Sequence, residues 1–190
     1  MPLQFPRSIR TERLLLRPWR VSEAARLKAV IDENLEHLRA WMPWAMDEPS
    51  PLDVIAARIE KFTGDFAAGI AGGYTIFTPD EATVLGGAGL HPLSEDGAEI
   101  GFWLARAHTG RGYATEAARA LVEVAFANPG IERVQIRCDP RNERSAAVPR
   151  RLGFRHIETL RADTVAPTGV PRDTMVWQVT RREFLEDPAG

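Results

Sequence analysis

Two glycines in the middle of the chain, Gly110 and Gly112, belong to a turn that is typical of phosphate-binding sites. An apolar run at residues 99–105 predicts a buried strand before the turn, and an alanine-rich helical pattern begins directly after it. The first N–H groups of a helix have no partner within the helix, and glycines leave them accessible to phosphate oxygens. The groups that we expect to hold a phosphorylated cofactor are the backbone groups of Gly110, Arg111, Gly112, Tyr113, Ala114 and Thr115.

Two well-known phosphate-binding turns fit this segment poorly. A nucleoside triphosphate loop ends in Gly-Lys-Ser or Gly-Lys-Thr, whereas Gly112 is followed by Tyr113 and Ala114. A dinucleotide-binding turn has a third small residue and an acid about 20 residues further on, and it usually lies near the start of its domain. Here Thr115 fills the third position, Asp139 lies further along than expected, and about half of the chain precedes the turn.

A third possibility is coenzyme A, and here the chain resembles the GCN5-related N-acetyltransferases (GNAT). The pyrophosphate signature of that family is Gln/Arg-x-x-Gly-x-Gly/Ala. Residues 109–114 match it except at the first position, where Thr109 replaces Gln or Arg. The pattern Asn142-x-x-Ser145, followed by the Leu-Gly-Phe sequence at 152–154, resembles the family's helix that lines the pantetheine of coenzyme A.

Two further blocks, at residues 11–17 and 38–44, resemble the RimJ/RimL-like subgroup of ribosomal-protein N-terminal acetyltransferases. The four blocks occur in the family's order, and the resemblance extends from about residue 11 to about residue 180. It implies a single GNAT domain over residues 1–190. The implied fold is α/β, with a mixed central sheet of about seven strands, about four flanking helices, and a splayed V between the fourth and fifth strands.

The apolar patterns of the chain predict the order β-α-α-β-β-β-α-β-α-β-β, an α/β domain with a mixed sheet. Ser22 and Ser50 stand where helix N-caps are expected. The predicted strands lie at residues 14–17, 74–77, 84–90, 98–105, 134–138, 155–160 and 174–179. Because the fourth strand is apolar on both faces, we expect it to be central.

The resemblance also implies how acetyl-coenzyme A is held. In the family, the fourth strand separates from the fifth, and its free backbone groups pair with the pantetheine. In this chain those groups would belong to Phe102, Trp103 and Leu104. Asn142 is a typical helix cap and, by resemblance, a coenzyme A contact, as is Ser145.

Two side chains are candidates for proton transfer. Glu99 is the only acid in its otherwise apolar strand, and we expect it to act as the base, through a water molecule, that neutralises the amine. Its alternative role is an exposed or ion-paired glutamate. Many relatives use a Tyr to protonate the leaving thiolate, but this chain has Pro149 there. By resemblance Ser145 takes that role, the alternative being a serine that only bonds the backbone at a helix start.

The resemblance implies that the acceptor is a primary amine, either of a protein N-terminus or of a small molecule. An α-amine with a pKa near about 7.8 costs roughly 1 kcal/mol to neutralise at pH 7, whereas a lysine near about 10.4 costs roughly 4.5 kcal/mol. One water-linked carboxylate therefore favours a protein or peptide α-amine. Trp41 and Trp44 are candidate substrate-lining residues, since the first helices wall the acceptor cleft in this family. A drug, polyamine or amino acid acetyltransferase and a non-catalytic acyl-coenzyme A sensor remain alternatives.

The remaining polar and reactive residues fit surface or packing positions. The histidines, His37, His91, His108 and His156, have no metal-ligand spacing, so no metal is expected. The single cysteine, Cys138, alternates with apolar strand residues and has no evident base, which argues against a covalent nucleophile.

The overall composition of the chain argues against some classes of partner. The net charge is −2 over 190 residues and no block of like charge stands out, so a direct nucleic-acid partner is not expected. No run approaches the roughly 20 apolar residues of a membrane-spanning helix, and the first ten residues lack the apolar core of a signal peptide. We expect a cytoplasmic protein, and a homodimer is possible because relatives are often dimers.

Overall fold

A single mixed sheet organises the computed structural model, which describes residues 2–94, 96–166 and 169–186. Within these residues it has eight strands in the order β1-β2-β3-β4-β5-β6-β8-β7. The strands are β1 (Ile9–Arg10), β2 (Leu15–Arg17), β3 (Gly72–Phe77), β4 (Val84–Pro92), β5 (Gly97–Leu104), β6 (Arg133–Cys138), β7 (Arg155–Val165) and β8 (Pro171–Thr180). All neighbouring pairs are antiparallel except β5 and β6, which are parallel.

Six α-helices flank the sheet in the described part of the chain. They are α1 (Ala24–Glu33), α2 (Leu35–Arg39), α3 (Leu52–Ala67), α4 (Tyr113–Ala127), α5 (Glu143–Arg151) and α6 (Arg181–Glu186). The β5–α4–β6 unit is the parallel crossover that connects the two halves of the sheet. None of the described helices is long and apolar enough to cross a membrane.

The two largest hydrophobic clusters of the described residues cover opposite faces of the sheet. The larger cluster packs α4 against alternate strand residues such as Ile100 and Leu90. The smaller cluster joins α1, α2 and α3, and Trp103 packs against it. Since successive strand residues point to opposite faces, β5 contributes Ile100 to one cluster and Trp103 to the other.

The parallel pairing of β5 and β6 is short. It covers only Gly97 with Arg133, Ala98 with Val134, and Glu99 with Gln135. Beyond Glu99 the two strands separate, although β5 stays paired with β4 as far as Leu104. This opening is the V that the sequence resemblance predicts between its fourth and fifth strands, here β5 and β6.

The predicted fold class is confirmed, with differences at the periphery. The structure adds the short strand β1 and the short helix α6, and β7 continues to Val165 rather than ending at Leu160. Neither predicted serine is the N-cap of its helix. A 3₁₀ turn at Val21–Glu23 precedes α1, and Pro51 occupies the cap position of α3.

Candidate active site

A cleft of about 650 Å³ opens where the V, the glycine turn, α2 and the start of α5 meet. Most of the side chains and turn residues predicted for the site line it. These are Trp41, Phe102, Trp103, Leu104, Gly110, Gly112, Ala114, Thr115, Asn142 and Ser145. Arg111, Tyr113, Trp44 and Glu99 are not among the lining residues. The cleft thus joins four segments that are up to about a hundred residues apart in the sequence.

The glycine turn delivers the N-terminus of α4 to this cleft. Gly110 and Gly112 both have the left-handed backbone, with φ of 77° and 82°, which side chains rarely adopt. The first intrahelical bond runs from the Glu116 N–H to the Gly112 oxygen, 3.0 Å, so the amides of Tyr113, Ala114 and Thr115 precede it.

The turn meets the requirements of a diphosphate site. A Cβ at Gly110 would meet nothing within 4 Å, so space is open above the turn. The buried Thr115 hydroxyl has no hydrogen-bond partner among the described residues, and it lines the cleft. Free amides, a free hydroxyl and the positive end of the helix dipole together suit phosphate oxygens.

Arg13 reinforces the turn from a distant part of the chain. Its guanidinium donates to the Arg111 carbonyl oxygen at 3.0 Å and pairs with Glu116 on α4. Thr11 also donates to Glu116, at 2.5 Å. Burial acts to raise the pKa of Glu116, but these hydrogen bonds outweigh it and hold the pKa below its ordinary value. The sequence motifs alone do not indicate this support, because the contact spans about a hundred residues.

Arg144 reaches the position at which the family signature is broken. Its Nη1 donates to the Thr109 hydroxyl at 3.3 Å, and both residues line the cleft. Arg141 and Arg151 line the same cleft. Arg144 and Arg151 are seven residues apart, two turns on one face of a helix, and this spacing is the sequence signal that could have revealed them.

The backbone of β5 offers free groups on the open side of the V. Backbone groups of an antiparallel strand alternate between its two neighbours. The Ala105 N–H donates to the oxygen of Leu85 in β4 at 2.9 Å, so the backbone groups of Trp103 also point toward β4, whereas those of Phe102 and Leu104 point into the V. Trp103 therefore contributes its indole to the cleft, and the other two contribute backbone groups.

His37 on α2 also lines the cleft, although its sequence context suggested only a surface or packing position. It forms a hydrogen bond with the backbone of Leu104. Burial lowers the pKa of this imidazole, and the nearby guanidinium groups of Arg106 and Arg144 lower it further against the effect of the hydrogen bond. His37 is thus a neutral side chain at the mouth of the V at neutral pH.

Glu99 lies at the closed end of the V, at the last paired position of β5 and β6. Its carboxylate is half-buried, and the Arg137 Nε lies 3.5 Å from it. It shares a sheet face with Trp103, four residues further along β5. The ion pair considered as an alternative role is therefore present, and it leaves the carboxylate partly accessible.

Asn142 and Ser145 form the N-terminal cap of α5. The Asn142 side-chain oxygen accepts a hydrogen bond from the Ser145 N–H at 3.1 Å, as expected of a cap. Both side chains line the cleft, whereas Pro149, at the position of the usual Tyr, is buried inside α5.

The two predicted tryptophans occupy different positions. Trp41 lines the cleft, and its ring lies 5.8 Å from the guanidinium of the buried Arg172, which also pairs with Asp139 at 3.3 Å. Trp44 packs edge-on against Trp103, with ring centroids 6.0 Å apart. Trp44 therefore contacts a residue that lines the cleft but does not line the cleft itself.

The other reactive side chains do not form a site. Burial raises the pKa of the Cys138 thiol to about 11, so it is protonated at neutral pH. Within residues 2–94, 96–166 and 169–186, no group of three or more His, Cys, Asp or Glu side chains is placed to hold a metal ion.

Comparison with known proteins identifies the class. The model of the acetyltransferase (GNAT) domain family matches residues 13–155, about three quarters of the chain. The chain therefore belongs to the GNAT acetyltransferases. Such enzymes are N-acetyltransferases that use acetyl-coenzyme A, which agrees with the diphosphate site and the open V described above.

Individual relatives carry more specific names. The protein YdaF of Bacillus subtilis (strain 168), provisionally named a ribosomal N-acetyltransferase, is 30% identical over 91% of this chain and 94% of its own length. A crystal structure described as a probable acetyltransferase is 28% identical, with a TM-score of 0.85 over 93% of this chain and 98% of that one. RimL, a ribosomal L7/L12 alpha-N-protein acetyltransferase solved with coenzyme A, shares the fold at 21% identity, with a TM-score of 0.83 over 91% and 97% of the two chains.

Proposed function

We propose that this N-acetyltransferase acts on the N-terminal α-amine of a protein or peptide, by direct attack while both substrates are bound. One observation carries the proposal: β5 and β6 separate directly after Glu99, which places the only carboxylate of β5 at the closed end of the V. A base in that position can receive a proton from an amine that approaches along the open sheet face.

The cofactor is held by backbone groups of α4 and β5 and by residues at the start of α5. The amides at the start of α4 and the guanidinium of Arg144 bind the diphosphate, and the outward backbone groups of Phe102 and Leu104 pair with the pantetheine. Acetyl-coenzyme A supplies the acetyl group as an activated thioester. The cap residues Asn142 and Ser145 border it on the α5 side.

Three groups of the chain manage charge during the transfer. Glu99 takes up a proton from the ammonium group through a water molecule. The Phe102 N–H faces the V and donates to a carbonyl oxygen that gains negative charge. Ser145 donates a proton to the departing sulfur, in place of the Tyr that Pro149 replaces. Cys138 takes no part, because its thiol is buried and protonated.

An α-amine suits these residues better than a lysine side chain. Neutralising an α-amine at pH 7 costs about 1 kcal/mol, against about 4.5 kcal/mol for lysine. A single carboxylate, which also pairs with Arg137, would have to accept the proton, so the smaller cost favours the α-amine. Relatives named for ribosomal proteins support a ribosomal-protein N-terminus as the acceptor, which would place the reaction in the cytoplasm.

Binding and turnover can be tested separately. At a hundredfold excess over its Kd, acetyl-coenzyme A is expected to add about 2.7 kcal/mol to the free energy of unfolding, or about 5–10 °C in Tm for a domain of this size. Thiol release should then occur with a Ser- or Ala-initiated peptide.

Variants of the two proton-transfer residues complete the test. Glu99→Gln and Ser145→Ala should each lower kcat by about a hundredfold while the acetyl-coenzyme A shift persists. Binding without thiol release for any peptide or amine would instead favour a non-catalytic sensor. Undiminished turnover in both variants would remove these residues from the reaction.

A further inference from the structure

Gly101 is a bare position in the middle of the sheet. It lies in β5 where that strand is paired with β4 and has separated from β6, yet it is exposed while its neighbour Ile100 is buried. A Cβ built at residue 101 would meet no atom within 4 Å, and its φ lies outside the left-handed region. Neither packing nor backbone conformation therefore requires glycine here, although glycine weakens a strand.

Three side chains surround the accessible backbone surface of Gly101. Glu99 and Trp103 stand on the same face, each two residues away, at a distance of about 7 Å along the strand. On β4, Gly89 lies directly opposite, and the His91 ring covers it. Gly101 is therefore an uncovered patch bounded by a carboxylate, an indole and an imidazole.

The indole and the imidazole each cover a neighbouring glycine rather than Gly101. The Trp103 indole lies over Gly87, and the His91 ring lies over Gly89. These glycines have an evident packing role, because a Cβ at either one would collide with the ring above it. Gly101 has no such role, which leaves its accessible surface as the feature to explain.

We infer that the Cα-bearing end of the acceptor rests on Gly101, and that the missing side chain makes Gly101 a specificity determinant for α-amines. This inference rests on the function proposed above. An α-amine is attached to a carbon that already bears a side chain and a peptide bond, so it needs space beside the nitrogen. A lysine amine ends a slender methylene chain and needs far less space. A methyl group at residue 101 would take that space next to Glu99.

Position 73 provides a matched control. Gly73 pairs with Gly89 from the other side, so it lies in the same row of the same sheet face as Gly101. A Cβ at residue 73 would also meet nothing within 4 Å. Gly73 is on β3, two strands from the V, so Gly73→Ala makes the same chemical change away from the accessible surface of Gly101.

The test uses a Ser-initiated peptide with one internal lysine, and mass spectrometry assigns the acetyl group to either amine. Gly101→Ala should lower kcat/KM for the α-amine by about tenfold or more, with ε-amine acetylation and acetyl-coenzyme A affinity changed by less than about threefold. Gly73→Ala should behave as wild type in every measurement. The acetyl-coenzyme A affinity also shows that each variant is folded.

Equal α-amine kinetics in Gly101→Ala and wild type would overturn the inference, as would an equal loss in Gly101→Ala and Gly73→Ala. If wild type acetylates neither amine, the proposed function fails. This outcome can be told apart from the two results that overturn only the role of Gly101. If wild type acetylates the α-amine but Gly101→Ala keeps the same activity, only the specificity role of Gly101 fails.

Discussion

Thr109 stands where the family signature has Gln or Arg, and the structure shows which side chain reaches that place. Arg144, from the first turn of α5, donates to the Thr109 hydroxyl and lines the cleft. A cation that arrives from another helix can supply the phosphate contact that the turn itself lacks. We propose that Arg144 supplies this contact in place of the family's Gln or Arg.

Removing Arg144 should weaken cofactor binding. Arg144→Ala is expected to raise the Kd of acetyl-coenzyme A by about tenfold, equivalent to about 1.4 kcal/mol, because a charge-assisted contact is lost. Titration calorimetry gives the Kd. Arg150→Ala is the control, since Arg150 lies on the same helix but stacks on Trp177. Equal affinities in the two variants would contradict the role of Arg144.

Gly112 is needed for its left-handed backbone, with φ of 82°, and a Cβ there would lie 3.3 Å from the Arg13 guanidinium. Gly112→Val should abolish measurable acetyl-coenzyme A binding, because the turn can no longer present its amides. Gly130→Val controls for strain: Gly130 also has positive φ, 90°, and a Cβ there meets nothing within 4 Å. Both variants should lose about 1–2 kcal/mol of stability, but only Gly112→Val should lose binding. Intact binding in Gly112→Val would contradict this placement of the diphosphate.

At the scale of elements, the N-terminus of α4 is held in place by the segment before β2. The Glu116 carboxylate accepts hydrogen bonds from the Thr11 hydroxyl and from both the backbone and the side chain of Arg13. The same guanidinium reaches the Arg111 carbonyl in the glycine turn. The glycine turn is thus fixed by the segment between β1 and β2 as well as by its own helix.

This anchor gives stability a defined pH dependence. The folded-state pKa of Glu116 is lowered, so the ionised carboxylate stabilises the folded protein. Its contribution to the free energy of unfolding is complete above the unfolded-state pKa of about 4.3, and it is lost as pH falls through the lower folded-state pKa. Glu116→Gln should lower the free energy of unfolding by about 1–3 kcal/mol at pH 7, and the difference in this free energy between variant and wild type should become smaller below about pH 4. Urea unfolding at several pH values measures it.

The exposed Glu123 on the same helix provides the control, and Glu123→Gln should have little effect at any pH. A gap between Glu116→Gln and wild type that stays constant from pH 7 to below pH 4 would contradict the assignment.

Sequence patterns predicted the central elements well and the peripheral ones less well. The order of the main strands and α4 follows from continuous apolar runs and from the glycine turn, which are local signals. The apolar residues of α3 recur at steps of three and four, but they are buried unevenly: Ile55 and Ile59 are inaccessible, while Leu52 and Phe62 are about half exposed. The short strand β1 was missed, because two residues carry no periodic pattern and form a strand only by pairing with β2.

At the scale of the whole molecule, the cleft lies between two hydrophobic clusters on opposite faces of the sheet. The contiguous motif at residues 109–115 could be predicted from sequence, because a turn of this kind is specified by neighbouring residues. Arg13 and His37 could not, since Arg13 reaches the glycine turn and His37 reaches the cleft only through tertiary packing, whereas the seven-residue spacing of Arg144 and Arg151 was a usable signal. The bare surface at Gly101 likewise becomes visible only when neighbouring side chains are in place.

The identity of the acetylated nitrogen tests the central claim most directly. Wild-type enzyme is incubated with acetyl-coenzyme A and a Ser-initiated peptide that carries one internal lysine, and fragmentation mass spectrometry locates the product acetyl group. Because the carboxylate at the closed end of the V suits an amine with a pKa near about 7.8, the acetyl group should be found on the α-amine. Acetylation confined to the lysine side chain would contradict the account.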